Sequence, residues 1–211
     1  MLVVVGGNSR NIGKTSVMVS LIRGIPEAQW TAVKITQYGN DVCSDSGADC
    51  ECAPRDAHPY ALSQETAPND SDSGRYLGAG AARSFWLRTA QGQLGYGVEP
   101  LKSILAGGEN AILESNSVLQ FMRPHLYIVV LDYAVDDVKD SLRQWFDRAD
   151  ALAVVERGAK LHPWAGIPGR WIENKPAFVV APPDYTNVDL LRMVREKLSQ
   201  SAGTVTTTET P

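Results

Sequence analysis

The stretch Leu2-Val3-Val4-Val5-Gly6-Gly7-Asn8-Ser9-Arg10-Asn11-Ile12-Gly13-Lys14-Thr15 decides the reading of this 211-residue chain. Its first four residues form a short, largely β-branched apolar run, the mark of a strand buried on both faces. From Lys14 to Arg23 the pattern changes to a helix, with Val17, Met18, Leu21 and Ile22 at helical spacing. Gly24 and Pro26 stop it. Between strand and helix lies a glycine-bearing turn that ends in Gly13-Lys14-Thr15. A turn in that context can aim backbone N–H groups of Gly7, Asn8, Asn11, Ile12, Gly13, Lys14, Thr15 and Ser16 at phosphate oxygens. Lys14 is placed to reach the terminal phosphates as a point charge, and the Thr15 hydroxyl to bind Mg²⁺. Five residues separate Gly7 from Gly13, and Asn8 holds the position usually taken by the first glycine.

Working outward, apolar runs predict further strands at 30–36, 84–89, 111–114, 126–131, 151–155 and 177–181. Helices are predicted from 72, at 101–105, at 138–146 and at 188–198. Strands alternating with helices predict an α/β fold with a mostly parallel, doubly wound sheet, and the Gly7–Thr15 loop between strand and helix makes the expected fold the three-layer sandwich of P-loop NTPases. We expect a single domain over 1–200, with an insertion at about 37–71 and a disordered tail at 201–211. The composition, 44% hydrophobic and 21% charged, is that of a globular domain. The net charge of −4 argues against a nucleic-acid or anionic-membrane binder. No apolar run approaches the roughly 20 residues of a spanning helix, and no signal peptide is legible. The expected location is cytoplasmic.

Charge and cysteine are unevenly placed. Residues 41–72 hold eight acids and one base, a net −7, so the remaining chain sums to +3. The same stretch holds Cys43, Cys50, Cys52 and His58, four metal-capable side chains within sixteen residues. Cytosolic thiols at this density bind metal more often than they pair, and a Cys₃His zinc site would fasten the insertion. The spacing differs from the common Cys-x₂₋₄-Cys knuckle, so redox chemistry and plain loop cysteines stay open.

The five-residue spacing inside the phosphate loop resembles that of dethiobiotin synthetase and its relatives. Three further motifs resemble the molybdopterin-guanine dinucleotide biosynthesis adaptor family: Lys34 ending the second strand, Asp72-Ser73-Gly74-Arg75, and Ala79-Gly80-Ala81. Together the resemblances span roughly the first 135 residues. The family's His-rich stretch after the strand-two lysine is Thr36-Gln37-Tyr38-Gly39 in this chain, and its Glu-Gly is Glu114-Ser115. The resemblance implies nucleotide binding, an adaptor role beside a partner protein, and homodimers.

Glu114 ends an apolar strand, where a carboxylate can hold Mg²⁺ or orient an attacking water; otherwise it caps the next helix. Asp72 is a second Mg²⁺ candidate, or the N-cap of the helix it opens, a role Ser73 fills equally. Lys34 is a catalytic candidate at the same sheet edge, set to meet a γ-phosphate or an acidic substrate. A guanine-reading Asn-Lys-x-Asp is absent, because Asn174-Lys175 runs into Pro176-Ala177. Pro182-Pro183-Asp184 follows the last strand, where related enzymes wrap the base, which favours ATP over GTP. These residues predict a Mg²⁺-dependent NTPase with Lys14, Glu114 and Lys34 at the reaction centre. Two rivals are a small-molecule ligase or kinase of the dethiobiotin-synthetase type and a nucleotide-gated binding module without turnover.

Overall fold

The opening apolar run forms strand β1 (Leu2–Gly7), in which Val3, Val4 and Val5 are wholly buried. In the computed structural model the described residues are 1–39, 59–107, 110–157, 167 and 169–203. Helix α1 (Lys14–Gly24) follows, then β2 (Thr31–Tyr38), β3 (Tyr60–Gln64), α2 (Asp72–Gly78) and β4 (Arg83–Ala90). Next come α3 (Leu94–Leu105), β5 (Ala111–Glu114), β6 (Leu126–Leu131), α4 (Asp140–Arg143) and β7 (Ala151–Val155). The last elements are α5 (Gly169–Glu173), β8 (Ala177–Val180) and α6 (Val188–Gly203).

The eight strands make one sheet in the order β3-β4-β2-β5-β1-β6-β7-β8. Every pairing is parallel except that of the edge strand β3 with β4. Successive side chains point to opposite faces, so Val3 and Val5 join one core while Val4 joins the other. The first core is closed by α1, α2 and α6, through Met18, Tyr76 and Leu190 among others. The second is closed by α3 and the α4 region, through Leu101, Leu142 and Phe146. This is the α/β three-layer sandwich expected from the alternating pattern.

Several local expectations change. Tyr60–Gln64, inside the stretch read as a loop, is a strand, and β2 runs on to Tyr38. Only one short apolar patch marks β3, because an edge strand is half exposed and takes its backbone hydrogen bonds from β4. Helix α3 begins at Leu94 instead of 101 and carries Gly95, Gly97 and Pro100. Packing of Leu94, Val98 and Leu101 beneath the sheet outweighs those poor helix formers. The helix expected at 138–146 is one turn of α4 and a 3₁₀ turn at Phe146–Arg148. Helix α6 continues to Gly203, past the expected start of the tail. Among the described residues no helix is long and apolar enough to cross a membrane.

Register builds the site. Glu114 is the Cα partner of Val5 on β1 and of Lys34 on β2. Three neighbouring parallel strands therefore bring the phosphate-loop entry, a lysine and a carboxylate to one sheet edge, the usual ligand crevice of such sheets.

Candidate functional site

Gly13 caps α1 with φ +96, a backbone region open mainly to glycine, and an added Cβ would lie 2.4 Å from the Tyr185 ring. Tyr185 in turn accepts from Arg157 Nη2 at 3.4 Å, and Arg157 pairs with the buried Asp132 carboxylate at 3.1 Å. The loop's C-terminal end is thus braced from the β7 and β8 side of the sheet. At its other end, Gly6 leaves room for Asn116, whose Oδ1 would stand 2.0 Å from a Cβ on Gly6. Asn116 accepts from the Gly7 amide and donates to the Gly7 carbonyl, both at 2.9 Å.

Asn8 is fully buried. Its side-chain amide donates to the carbonyls of Asp132 (3.3 Å), Val135 (3.4 Å) and Asp137 (3.2 Å), while its Oδ1 accepts from the Asp132 amide at 3.0 Å. Its own amide donates to Val130 and its carbonyl accepts from Lys139 at 2.9 Å. Beside it, Ser9 Oγ donates to Asp137 at 2.6 Å. Gly7 and Asn8 were expected to face phosphate, but their polar groups are already engaged, and they anchor the loop. Ile12 is buried in the core beneath α1. Asn11 is exposed with φ 54. Gly13, Lys14, Thr15 and Ser16 open α1, whose first N–H groups have no helical partners.

Glu114 is the electrostatic centre. Only 3% exposed, it accepts from Thr15 Oγ1 at 2.8 Å and from the buried Tyr76 hydroxyl on one oxygen, and from Lys34 Nζ at 2.6 Å on the other. Burial pushes its carboxyl pKa up, but the Lys34 and Lys14 ammonium groups and these donors outweigh it and hold the value down to about 2. Lys34 also pairs with Asp72 at 2.8 Å. Burial opposes its charge, yet the two carboxylates raise its pKa above the ordinary lysine value. Asp72 lies 3.8 Å from Arg75, whose Nη2 donates to Ser16 at 3.2 Å. The α2 cap is neither Asp72 nor Ser73 but Ser71, which accepts from the Gly74 amide at 3.0 Å. Asp72 is therefore left to its ion pairs.

Lys14 donates to the Ser9 carbonyl within its own loop. Burial lowers its pKa to about 8, with Lys139 and Lys34 adding repulsion and Glu114 opposing. A cleft of about 880 Å³ opens here, lined by Arg10, Lys14, Lys34, Asp72, Glu114 and Lys139 among others. A smaller groove of about 390 Å³ includes Ser16, Arg75 and Pro183. Pro182, joined to Pro183 by a cis peptide, is exposed beside it. Cys43, Cys50, Cys52 and His58 lie outside the described residues. Arg10, Tyr76, Asn116 and Lys139 escaped the sequence reading, since each gains its place through contacts distant in sequence or by facing the cleft.

No family model matches the chain, and no curated protein matches it by sequence. Solved structures do. HypB from Helicobacter pylori, in complex with nickel, aligns over 94% of this chain and 87% of its own, with TM-score 0.52 and 14% identity. LpxK from Aquifex aeolicus, in complex with ATP, aligns over 84% of this chain with TM-score 0.46 and 18% identity. The chain spans about half of LpxK, 53% of its length. The likeness to HypB shows the fold, that of the P-loop NTPases.

Proposed function

We propose that this chain binds a Mg²⁺–nucleoside triphosphate on the loop between β1 and α1. In this reading it acts as a slow NTPase, an adaptor in cofactor or metal-centre biosynthesis as its resemblance to the molybdopterin-guanine dinucleotide adaptor family implies. One observation carries the reading: the Thr15 hydroxyl and the ionised Glu114 meet at 2.8 Å directly beside Lys14, at the opening of α1. Lys14, held by one loop carbonyl and partly desolvated, gains most from an anion. The amides of Gly13, Lys14 and Thr15 supply the remaining phosphate donors. The Thr15 hydroxyl on Glu114, with Asp72 joined to the same carboxylate through Lys34, offers the hard oxygen set that Mg²⁺ takes, since this ion needs only one or two carboxylates beside phosphate and water. When bound, the ion neutralises charge on the phosphate oxygens.

Glu114 is too weak a base to take a proton near neutral pH, so its role is to orient water and to keep Thr15 in place. Lys34 is shared between Glu114 and Asp72 and steadies both carboxylates. The groove with Ser16 and Pro183 is the place for the nucleoside, with ATP favoured. A second reading, a small-molecule ligase or kinase, is favoured by the size of the cleft, about 880 Å³, which exceeds what a phosphate tail fills.

Calorimetric titration with ATP and GTP, with and without Mg²⁺, on the wild type and Lys14→Ala tests the proposal. Binding by the wild type that needs Lys14 supports it; no binding by the wild type overturns it. Turnover with nucleotide alone, against turnover only with an added small molecule, separates the two readings.

A further inference from the structure

Asn8 turns a phosphate loop and a distant segment into one unit. Where a glycine is usual, its side chain holds three carbonyls and one amide of the segment 132–137, and Ser9 adds a hydrogen bond to Asp137. The last link in this seam is the Lys139 amide on the Asn8 carbonyl, at 2.9 Å. It fixes the backbone of Lys139 at the rim of the cleft that Lys14 also lines. Among the described residues the Lys139 ammonium has no hydrogen bond and no ion pair, and it is half-buried. The other ammonium groups are engaged: Lys34 by two carboxylates, Lys14 by the Ser9 carbonyl. Arg10, from the loop itself, lines the same cleft.

We propose that Lys139 is a second cationic contact for the terminal phosphoryl group, held on the phosphate loop by Asn8 and assisted by Arg10. The inference rests on the nucleotide reading above. It gives the site a means of telling a triphosphate from a diphosphate. The diphosphate is held by the amides and Lys14 at the start of α1, whereas the added phosphoryl group extends into the cleft toward Lys139. Charge supports the placement. Burial and the Arg10 guanidinium lower the Lys139 pKa, with Asp137 opposing, and Lys139 in turn lowers that of Lys14. The cleft lining sets four carboxylates, Asp70, Asp72, Glu114 and Asp140, against its four cations, but Lys34 occupies Asp72 and Glu114, so the Lys139 ammonium, without an ion pair among the described residues, is left to an anionic ligand.

The test is calorimetric titration of wild type and Lys139→Gln with ADP and with a non-hydrolysable ATP analogue, both with Mg²⁺. The expected result is a loss of about tenfold or more in triphosphate affinity, the range of one charged hydrogen bond, with diphosphate affinity within about twofold of wild type. Retained diphosphate binding also reports that the variant is folded. Equal loss for both ligands, or no loss for the triphosphate, overturns the assignment of Lys139. Failure of the wild type to bind either nucleotide instead overturns the nucleotide reading itself, so the two failures are distinguishable.

Discussion

Glu114 is a buried anion kept ionised by three donors, and two predictions follow from its surroundings. Tyr76→Phe removes one hydroxyl donor without changing packing, so the protein should lose about 2 kcal/mol in denaturant unfolding at neutral pH, as for a hydrogen bond to a charged group. An unchanged midpoint would show that the hydroxyl contributes nothing to the anion. The second concerns acid. The carboxyl has a folded pKa of about 2, below its ordinary 4.5, so its stabilisation is complete above 4.5 and disappears as pH falls toward 2. Glu114→Gln should therefore be less stable than wild type at pH 7 and show a shallower acid decline, the two curves approaching each other near pH 2. Parallel curves across that window would contradict it. The carboxylate itself was legible in the sequence, because an acid ending an apolar strand stands out. Tyr76 was not: it sits inside a motif that reads as a helix start, and its hydroxyl matters only once α2 packs against β2 and β4 and brings it to Glu114.

Among elements, the junction of the phosphate loop with the segment leading into α4 sets the shape of the site. Asn8→Gly restores the residue usual at that position, yet it should destabilise this protein by about 2 kcal/mol, because buried carbonyls and an amide lose their partner. Hydrogen exchange should then quicken at 132–139, and exchange unchanged there would refute the anchoring role. The sequence revealed this loop through its flanking strand and helix and through Gly13-Lys14-Thr15. It could not reveal Lys139, whose amide is held by the main-chain carbonyl of a residue about 130 positions away. The same limit hid β3 and the first two turns of α3. Edge pairing created the one, and burial against the sheet the other, against the preferences of Gly95, Gly97 and Pro100. The insertion's Cys43, Cys50, Cys52 and His58, outside the described residues, stand as a proposed zinc set on the density of metal-capable side chains, against a spacing that differs from the common knuckle. Elemental analysis of protein purified without chelator should find zinc, and less than roughly 0.2 equivalents would remove it.

For the molecule as a whole, a ligand that binds only the folded state raises its stability by mass action. Nucleotide at a hundred times its Kd, with Mg²⁺, should add about 2.7 kcal/mol. For a domain of this size that is a rise of roughly 5–10 °C in Tm. Lys14→Ala should abolish the rise, and an equal shift in that variant would place the nucleotide elsewhere. The alternation of strands and helices makes the parallel sheet and its three layers legible in the sequence, and the register of β1, β5 and β2 explains why Lys34 meets Glu114. Asn8 has one more consequence, for the order of assembly. Its side-chain partners and Lys139 lie beyond β6, so a growing chain that has displayed only the loop and α1 holds the motif without the cradle. Affinity for phosphate should therefore emerge late in synthesis, after residue 139, and a fragment ending at Leu105 should carry the full Gly7–Thr15 signature and bind no nucleotide.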